Sequence, residues 1–459
     1  MLQLFLYLSL SFFFIKSSHA LSLDVNSKDS ICSATALIQQ GMLNYYLGIR
    51  SGGTIGMFQP PYYWWEAGEA FGGMIENAYL CENYTFKTLI EQAIVYQSGD
   101  KYDFMTQNES KVEGNDDQGI WAITLMTAVE RNFTTPSNFT HSLSQPVPSY
   151  ENFTAVPDFL TMAENVYNLM GSRWDNSTCN GGLSWQIFNW NNGRDYKNTV
   201  STGCLFNLAA RLGRYTGNAT YLEEAEYIWD WLETTGFIQL NESVPAVYDG
   251  ASTESNCTDI TKLQWSYNMG IVLGGAAYMY NATNGSRIGE VWKTRIEYLL
   301  EGAVTIFFKN NIMYESACQP YKTCNNDQRS FKSLFSRMLG YTSILAPFTA
   351  QTINKLIQKS AIAAAASCNG GYDKHTCGLN WFNGTNDGYY GLGEQMSALD
   401  VIQMLLIDTR PGPLTADGYT VDIEDGLEYL NSSGANANHV TYLGLILSTF
   451  ISVFIIFFS

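Results

Sequence analysis

The stretch Trp265-Ser-Tyr-Asn-Met-Gly-Ile-Val-Leu-Gly-Gly-Ala-Ala-Tyr-Met-Tyr-Asn281 decides the fold class. Its apolar residues follow helical spacing, and it carries small residues where helices must approach closely, at Gly270, Gly274, Gly275, Ala276 and Ala277. Helical spacing recurs along the chain, whereas strand-like alternation is scarce. Twelve helices are predicted, at 30–48, 64–80, 84–97, 116–131, 157–171, 198–214, 219–235, 266–281, 287–307, 327–344, 348–366 and 393–407. The sequence therefore predicts an all-α protein.

The linkers between these helices alternate in length. The chain turns within a few residues after the second, sixth, eighth and tenth helices, whereas the linker before each even-numbered helix is long; the linker at 132–156 is the exception. Antiparallel helices joined in this way place the long connections at one end. Six hairpins that close on themselves form an (α/α)6 barrel of six inner and six outer helices, with the even helices inside. An open helical solenoid would use similar hairpins, but these hairpins share no repeat consensus.

The composition of the chain argues against several classes of function. The net charge is −18 and no Lys/Arg cluster relieves it, which disfavours a nucleic-acid partner. The chain has only four histidines and no Cys/His spacing typical of zinc, no G-x-S-x-G elbow and no P-loop, so we expect no metal or cofactor. The 29 tyrosines and 11 tryptophans suit a protein core, and they also suit stacking on sugar rings.

Both chain ends resemble targeting signals. Residues 1–20 are predicted to be a secretory signal peptide, because an apolar run ends in small residues. Residues 435–459 form an apolar tail after a polar segment at 411–434, which is typical of a glycosylphosphatidylinositol (GPI) signal with attachment between Asn431 and Gly434. A retained transmembrane helix is the alternative, although it lacks the usual basic flank. Residues 21–410 are predicted to form one large domain, displayed on the outer leaflet of the plasma membrane.

The N-glycosylation sequons and the cysteines support the prediction that the protein enters the secretory pathway. Thirteen N-x-[ST] triplets occur, at Asn83, Asn108, Asn132, Asn138, Asn152, Asn176, Asn218, Asn241, Asn256, Asn281, Asn284, Asn383 and Asn431. Nine cysteines in an oxidising compartment favour disulfides. Two pairs are close enough in sequence to bridge locally, and one pair is expected at the same end of a hairpin: Cys318 with Cys324, Cys368 with Cys377, and Cys32 with Cys81. Cys179 and Cys257 fall in polar loops, and Cys204, inside a helical run, is expected to be unpaired.

Polar and aromatic residues collect where the even helices begin, so we expect a cleft at the long-loop end. Asp116 and Asp117 stand side by side at one of these starts. Glycosidic bonds are cut by two carboxyl groups, about 5–5.5 Å apart in retaining enzymes, and adjacent residues at a helix start can reach that separation. The alternative is capping, because Asn115 followed by Gln118 is a variant capping box and acidic residues favour a first helical turn.

Further side chains of these helix starts are candidate sugar-binding residues. They are Trp64, Trp65, Glu66, Asn115, Gln118, Asp249, Trp265, Tyr267, Asn268, Asp327, Asp387, Tyr389, Tyr390 and Glu394. Each aromatic residue has core packing as its alternative role, and each carboxylate has helix capping or loop hydrogen bonding as its alternative.

Five motifs along the chain are distinctive: Gly56-Met-Phe-Gln-Pro-Pro-Tyr-Tyr-Trp-Trp-Glu-Ala-Gly68, Val112-Glu-Gly-Asn-Asp-Asp-Gln-Gly119, Phe206-Asn-Leu-Ala-Ala-Arg-Leu-Gly-Arg-Tyr-Thr-Gly217, Leu263-Gln-Trp-Ser-Tyr-Asn-Met-Gly-Ile-Val-Leu-Gly-Gly275 and Gly384-Thr-Asn-Asp-Gly-Tyr-Tyr-Gly-Leu-Gly-Glu-Gln-Met396. They resemble motifs of the fungal GPI-anchored cell-wall proteins of glycoside hydrolase family 76, which are similar to endo-α-1,6-mannanases. The resemblance implies a location at the plasma membrane and in the cell wall. The resemblance implies an (α/α)6 barrel and a retaining mechanism. It also implies Asp116 as the nucleophile and Asp117 as the general acid/base.

The resemblance leaves the acceptor open. Its fungal members imply cleavage of the mannose core of GPI glycans and transfer of the attached protein to cell-wall glucan. Its bacterial members imply plain hydrolysis of α-1,6-mannan. A covalent intermediate permits both outcomes, because water or a sugar hydroxyl can resolve it. A non-catalytic glycan-binding wall protein is the remaining alternative.

Overall fold

The structure is a computed structural model that describes residues 21–106, 109, 111–133 and 156–416. The described part contains twelve α-helices: α1 (Lys28–Leu43), α2 (Trp64–Cys81), α3 (Lys87–Gln97), α4 (Asn115–Glu130), α5 (Phe159–Gly171), α6 (Thr199–Thr216), α7 (Ala219–Thr235), α8 (Ser266–Ala282), α9 (Arg287–Phe307), α10 (Lys332–Leu345), α11 (Ala350–Ser367) and α12 (Leu392–Gln403). Each predicted helix is present. None of the helices in the described ranges is long and apolar enough to cross a membrane.

The even-numbered helices form a closed inner ring. Each packs against the next, from α2 to α12, and α12 packs against α2. All residues of α12 are buried, whereas the outer helix α9 is buried along only one side. Close packing explains the inner glycines, because a methyl group added to Gly270 would lie 2.9 Å from the backbone of Phe335 on α10. The predicted (α/α)6 barrel is confirmed.

Three predicted helix boundaries were wrong by four residues or more. The first helix ends at Leu43 rather than 48, because the chain leaves it to pair with residues 57–59, as in the 2.9 Å bond from the Leu47 N–H to the Met57 carbonyl. Helix α10 begins at Lys332 rather than 327, since the preceding residues form a turn closed by the bond from the Ser330 N–H to the Asp327 carbonyl. Helix α12 ends at Gln403, and a 3-10 turn follows.

Seven short strands were not predicted. They are β1 (Tyr196–Asn198), β2 (Ile238–Gln239), β3 (Ala246–Val247), β4 (Gly250–Ser252), β5 (Ile260–Thr261), β6 (Phe308–Lys309) and β7 (Ile312–Met313). Two or three residues are too few for alternation to be visible in a sequence. The largest sheet is antiparallel with order β1-β4-β5 and pairs Asn198 with Gly250. It fixes the long loops beside the start of α6.

The interior of the ring contains ion pairs as well as apolar side chains. The Arg211 guanidinium lies 2.8 Å from Glu130, which also accepts a 2.6 Å hydrogen bond from the Tyr278 hydroxyl. Arg131 makes a similar pair with Glu76 at 2.6 Å. Both pairs are fully buried. They join neighbouring inner helices at the end of the ring where the connections are short.

The chain continues across this short-turn end after its last helix. The Pro411 carbonyl accepts hydrogen bonds from Arg131 and from the Tyr79 hydroxyl, and the Leu414 N–H donates to the Glu130 carbonyl at 3.0 Å. The described residues after position 410 therefore contact the barrel. The predicted signal peptide, GPI attachment region and terminal tail lie outside the described residues, and the predicted domain boundaries stay predictions.

Four disulfides join the loops and helix ends. They are Cys32–Cys81, Cys179–Cys257, Cys318–Cys324 and Cys368–Cys377, and Cys204 is free and buried. The three predicted pairs and the unpaired Cys204 are confirmed. The second bridge spans 78 residues and ties the loop before α6 to the loop before α8.

Candidate active site

A cavity of about 600 Å³ opens at the long-loop end of the barrel. The starts of α2, α4, α6 and α8 and the turn before α10 surround it. Its lining residues are Tyr63, Trp64, Trp65, Glu109, Val112, Glu113, Asp116, Asp117, Ile120, Trp185, Gln186, Tyr196, Asn198, Val200, Asp249, Trp265, Tyr267, Asn325, Asp327, Gln328 and Phe331. Six of them are carboxylic acids, and none of the described lining residues is Lys, Arg or His. The cavity is therefore strongly acidic.

The first turn of α4 brings Asp116 and Asp117 into this cavity. Gly114 is the N-cap residue, and the Asp117 carboxylate accepts a 2.7 Å hydrogen bond from its N–H. The predicted capping box of Asn115 and Gln118 was therefore wrong by one residue, because the helix starts at Asn115 itself. Asp117 caps the helix and lines the cavity at once, so the two roles considered for the pair are compatible.

The separation of the two carboxyl groups follows from their positions around Gly114. A methyl group built on this glycine would lie 2.2 Å from Oδ1 of Asp116 and 3.3 Å from Oδ2 of Asp117. These two oxygens are therefore no more than about 5.5 Å apart. Retaining glycosidases separate their carboxyl groups by about 5–5.5 Å, whereas inverting enzymes need about 6.5–9.5 Å. For this pair of oxygens the upper limit agrees with the retaining spacing and is shorter than the inverting spacing.

Burial and hydrogen bonding give the two carboxyl groups different proton affinities. Burial raises the pKa of Asp116 to about 7, opposed by hydrogen bonds that include the 2.9 Å contact from the Trp185 indole N–H to Oδ2. Burial raises the pKa of Asp117 well above its usual range, and the neighbouring Asp116 carboxylate raises it further. Asp117 is therefore the group that keeps its proton when Asp116 ionises.

Two more carboxylic acids line the same cavity, Asp249 and Asp327. Asp249 accepts a 2.7 Å hydrogen bond from the Tyr196 hydroxyl, and burial raises its pKa. Burial also raises the pKa of Asp327 to about 6, opposed by a hydrogen bond from Trp65. The unpredicted turn before α10 places Asp327 on the cavity wall. Both residues were among the predicted sugar-binding residues.

Aromatic rings form another part of the cavity wall. Tyr267 stacks on Phe331 with ring centroids 3.8 Å apart, and Trp265 meets the same ring edge-on at 5.6 Å. Trp65 lies 6.3 Å from Phe331. Trp64 differs, because its indole packs against other buried rings and its N–H donates to a buried glutamine. Trp64 is therefore mainly a core residue whose edge reaches the cavity.

Comparison with known proteins places this arrangement in a family. The profile described as Glycosyl hydrolase family 76 matches residues 30–145 and 142–417. The chain belongs to glycosyl hydrolase family 76. It is therefore a glycoside hydrolase, in agreement with the resemblance of its motifs.

Individual family 76 members resemble this chain closely. The mannan endo-1,6-alpha-mannosidase DFG5 of Saccharomyces cerevisiae is 60% identical over 423 residues, which cover 92% of this chain and 88% of that protein. The crystal structure of Dfg5 from Chaetomium thermophilum in complex with glucosamine has a TM-score of 0.78 and 34% identity, covering 86% of this chain and 94% of that one.

A more distant family 76 structure shares the fold. The alpha-1,6-mannanase GH76A of Salegentibacter in complex with alpha-1,6-mannotriose has a TM-score of 0.60 and 15% identity over 82% of this chain and 99% of its own. That protein is described as an inactive variant in which two consecutive aspartates are replaced by asparagine.

Two predicted sugar-binding residues of this family 76 chain lie outside the cavity and hold the helix that carries the aspartate pair. Asn115 and Gln118 are buried and both accept hydrogen bonds from the Arg173 guanidinium. Their amide groups donate to the carbonyls of Ser184 and Asp103. These contacts fix α4 to the surrounding loops, so the structure does not place the two amides in the cavity.

Residues at the start of α12 also lie outside the cavity. Glu394 is buried against the Arg329 guanidinium at 3.0 Å, and the Tyr62 hydroxyl accepts the N–H of Leu392 at 3.0 Å. Arg329, Tyr62 and Glu394 are all absent from the cavity wall. The predicted convergence of six helix starts was wrong in this respect, because five of them surround the cavity.

The remaining predicted residues have other positions. The Asp387 carboxylate accepts the N–H groups of Leu379 and Asn380 and so closes a loop. Tyr389 lies near the Arg329 guanidinium, and Tyr390 is largely exposed.

Two buried side chains complete the set of residues outside the cavity. Glu66 caps α2 by accepting the Tyr63 N–H at 2.7 Å. The Asn268 amide is buried without a hydrogen-bond partner in the described part of the chain, and it does not line the cavity.

Sequence reasoning missed Trp185, Glu113 and Phe331. Trp185 belongs to the long linker before α6, and no periodic pattern within that linker distinguishes it from the other aromatic residues there. Glu113 is buried beside Asp117, and burial raises its pKa well above the usual range. Its place directly before Gly114 in the acidic stretch was the one signal available.

Proposed function

We propose that this protein is a retaining glycosidase that acts on α-1,6-linked mannose, with Asp116 as the nucleophile and Asp117 as the general acid/base. The observation that carries the proposal is the pair of carboxyl oxygens no more than about 5.5 Å apart on one helix start, inside an aromatic-lined cavity. The mannosidase names of the relatives, 60% identical in the case of S. cerevisiae DFG5, support the substrate class.

In the first step Asp116 attacks the anomeric carbon while Asp117 gives its proton to the glycosidic oxygen. The bond between the anomeric carbon and the glycosidic oxygen breaks, and the anomeric carbon becomes esterified to the Asp116 carboxylate. The high pKa of Asp117 supplies the proton, and the indole N–H of Trp185 stabilises the ionised form of Asp116 before attack. As Asp116 loses its charge by esterification, the pKa of Asp117 falls.

In the second step the ionised Asp117 takes a proton from the incoming acceptor hydroxyl. The acceptor oxygen attacks the anomeric carbon and releases the Asp116 carboxylate, so the configuration of the sugar is retained. Water as acceptor gives hydrolysis, whereas a sugar hydroxyl gives transglycosylation. The aromatic wall of Trp265 and Tyr267 is suited to hold a sugar face during both steps.

For the natural donor we favour the mannose core of GPI glycans, with cell-wall glucan as the acceptor. A GPI core joins its mannoses to a glucosamine with a free amine, and such a cation suits a cavity whose described lining includes carboxylic acids but no Lys, Arg or His. The relative from C. thermophilum is described in complex with glucosamine, which supports the same donor. Asp249 and Asp327 are our candidates for facing the amine.

Plain hydrolysis of α-1,6-mannan is the second candidate. The name of the S. cerevisiae relative, mannan endo-1,6-alpha-mannosidase, favours this hydrolytic activity. A purely glycan-binding role does not require a carboxyl pair with separated proton affinities, so we favour an enzyme over that alternative.

We also propose that the protein works outside the plasma membrane. The four disulfides fit an oxidising compartment. A GPI anchor would confine the enzyme and a membrane-anchored glycan substrate to one surface, which raises their effective concentration.

Product analysis tests the proposed function. Purified protein is incubated with an α-1,6-linked mannoside, with and without a β-glucan oligosaccharide, and Asp116→Asn and Asp117→Asn serve as controls. We expect a mannosylated glucan product that depends on both aspartates. Free mannoside products alone would favour hydrolysis, and turnover by either variant near the wild-type rate would reject the assignment.

A further inference from the structure

A stacked pair of aromatic rings stands outside the cavity, on the loop between α5 and α6. Phe188 and Trp190 have ring centroids 5.0 Å apart and an interplanar angle of 18°. The Trp190 side chain is 69% exposed although Phe188 covers one face of its indole. Its free face is therefore turned to solvent. We call these two residues the Trp190 platform.

The platform is held in place. The indole N–H of Trp190 donates to the Lys111 carbonyl at 3.2 Å. The Phe188 carbonyl accepts the N–H of Asn191 at 3.1 Å, and the amide of Asn191 donates to Gln186 at 3.0 Å. An exposed ring whose orientation is fixed by hydrogen bonds loses little conformational freedom when a ligand stacks on it.

The same loop is joined to the start of α4. The Trp185 carbonyl accepts the N–H of Asn115 at 2.9 Å, and Gly114 pairs with Gln186. Trp185 and Gln186 line the cavity. Val112 also lines it, and the preceding residue, Lys111, accepts the hydrogen bond from Trp190. The loop that carries the platform therefore also carries two residues of the cavity wall and is hydrogen-bonded to the start of the helix that bears the aspartate pair.

We propose that the Trp190 platform is a glycan subsite that stacks a neutral hexopyranose unit of a chain whose reacting bond lies at Asp116 and Asp117. A pyranose presents C–H groups on one face, which pack on an exposed indole, while its hydroxyls stay in water. The inference rests on the proposed function for the position of the reacting bond. It predicts that chain length, rather than the reacting unit alone, determines affinity.

Binding measurements on a catalytically silent protein test the subsite. The parent is the double variant Asp116→Asn/Asp117→Asn, titrated by calorimetry with α-1,6-mannobiose, α-1,6-mannohexaose and the β-1,3-glucan hexasaccharide laminarihexaose. We expect Trp190→Ala to weaken the binding of a hexasaccharide about two- to tenfold, as for the loss of one stacking contact, and to leave the disaccharide unchanged. Trp190→Tyr should restore most of the affinity.

The control is Tyr372→Ala, which removes a fully exposed aromatic side chain from a different loop. This variant should bind all three oligosaccharides with the affinity of the parent. Equal losses for the short and long ligands, or no loss with Trp190→Ala in folded protein, would overturn the subsite. Failure of the parent to bind either hexasaccharide would overturn it as well. Absence of mannoside turnover by the wild-type enzyme, with hexasaccharide binding still dependent on Trp190, would instead reject the proposed function and keep the subsite.

Discussion

Replacing Gly114 by alanine should disable the enzyme without unfolding it. The added methyl group would lie 2.2 Å from Oδ1 of Asp116, whereas ordinary contacts begin at 3.4 Å, so the carboxyl group must retreat by roughly 1 Å. A displacement of about 1 Å from the productive position costs on the order of 100-fold in rate, or about 2.7 kcal/mol of transition-state stabilisation. We therefore expect kcat/KM to fall about 100-fold.

Stability should change little, because Gly114 has an extended backbone (φ −95°, ψ 164°) that alanine also adopts. The loss of an N-cap glycine costs roughly 1 kcal/mol. The matched control is Gly171→Ala at the end of α5, where an added methyl group meets nothing within 4 Å. Thermal melting and mannoside turnover are measured for both variants. Near-normal turnover in Gly114→Ala would refute the placement of the Asp116 carboxyl group beside this glycine.

Four other predictions follow from specific contacts. Trp185→Phe removes the hydrogen bond to Asp116 and should move the acidic limb of the kcat/KM–pH profile to higher pH; an unchanged limb would contradict this. Burial raises the pKa of several carboxyl groups in the folded protein, to about 8 for Glu315. The folded state therefore binds more protons than the unfolded state between about pH 5 and 7, so the melting temperature should fall as pH rises through this window. The fall should be less steep in Glu315→Gln. Arg211→Met leaves a buried carboxylate unpaired and should lower the free energy of unfolding by about 3–5 kcal/mol, which denaturant titration measures. Phosphatidylinositol-specific phospholipase should release the native protein from membranes; retention beside a released GPI-anchored control would favour a transmembrane tail.

The barrel was predictable because its signals are local. Helical spacing is repeated twelve times, and short turns such as Asn284–Ser286 alternate with long linkers that must meet at one end. Glycines such as Gly270 mark the helices that pack most closely. These features survive in a single sequence because each depends on neighbouring residues.

The site was only partly predictable, because it depends on contacts between distant segments. Trp185 donates to a residue 69 positions away, and the linker that carries it has no periodic pattern. The start of α12 resembles the other inner starts in sequence, but it contacts the Tyr62 hydroxyl, 330 residues away, and does not line the cavity. Asp116 and Asp117 could be located, since adjacent carboxylates at a helix start are visible in the sequence itself.

The anomeric configuration of the first product tests the central claim most directly. The claim is that Asp116 and Asp117 act as a closely spaced pair through a covalent intermediate. Proton NMR during the first minutes of cleavage of an α-1,6-mannoside should show the α-anomer first, with the β-anomer rising later by mutarotation. Mass spectrometry of enzyme trapped with a slow fluorinated mannoside should locate the sugar on the peptide that contains Asp116. Initial release of the β-anomer, with no labelled peptide, would contradict the account.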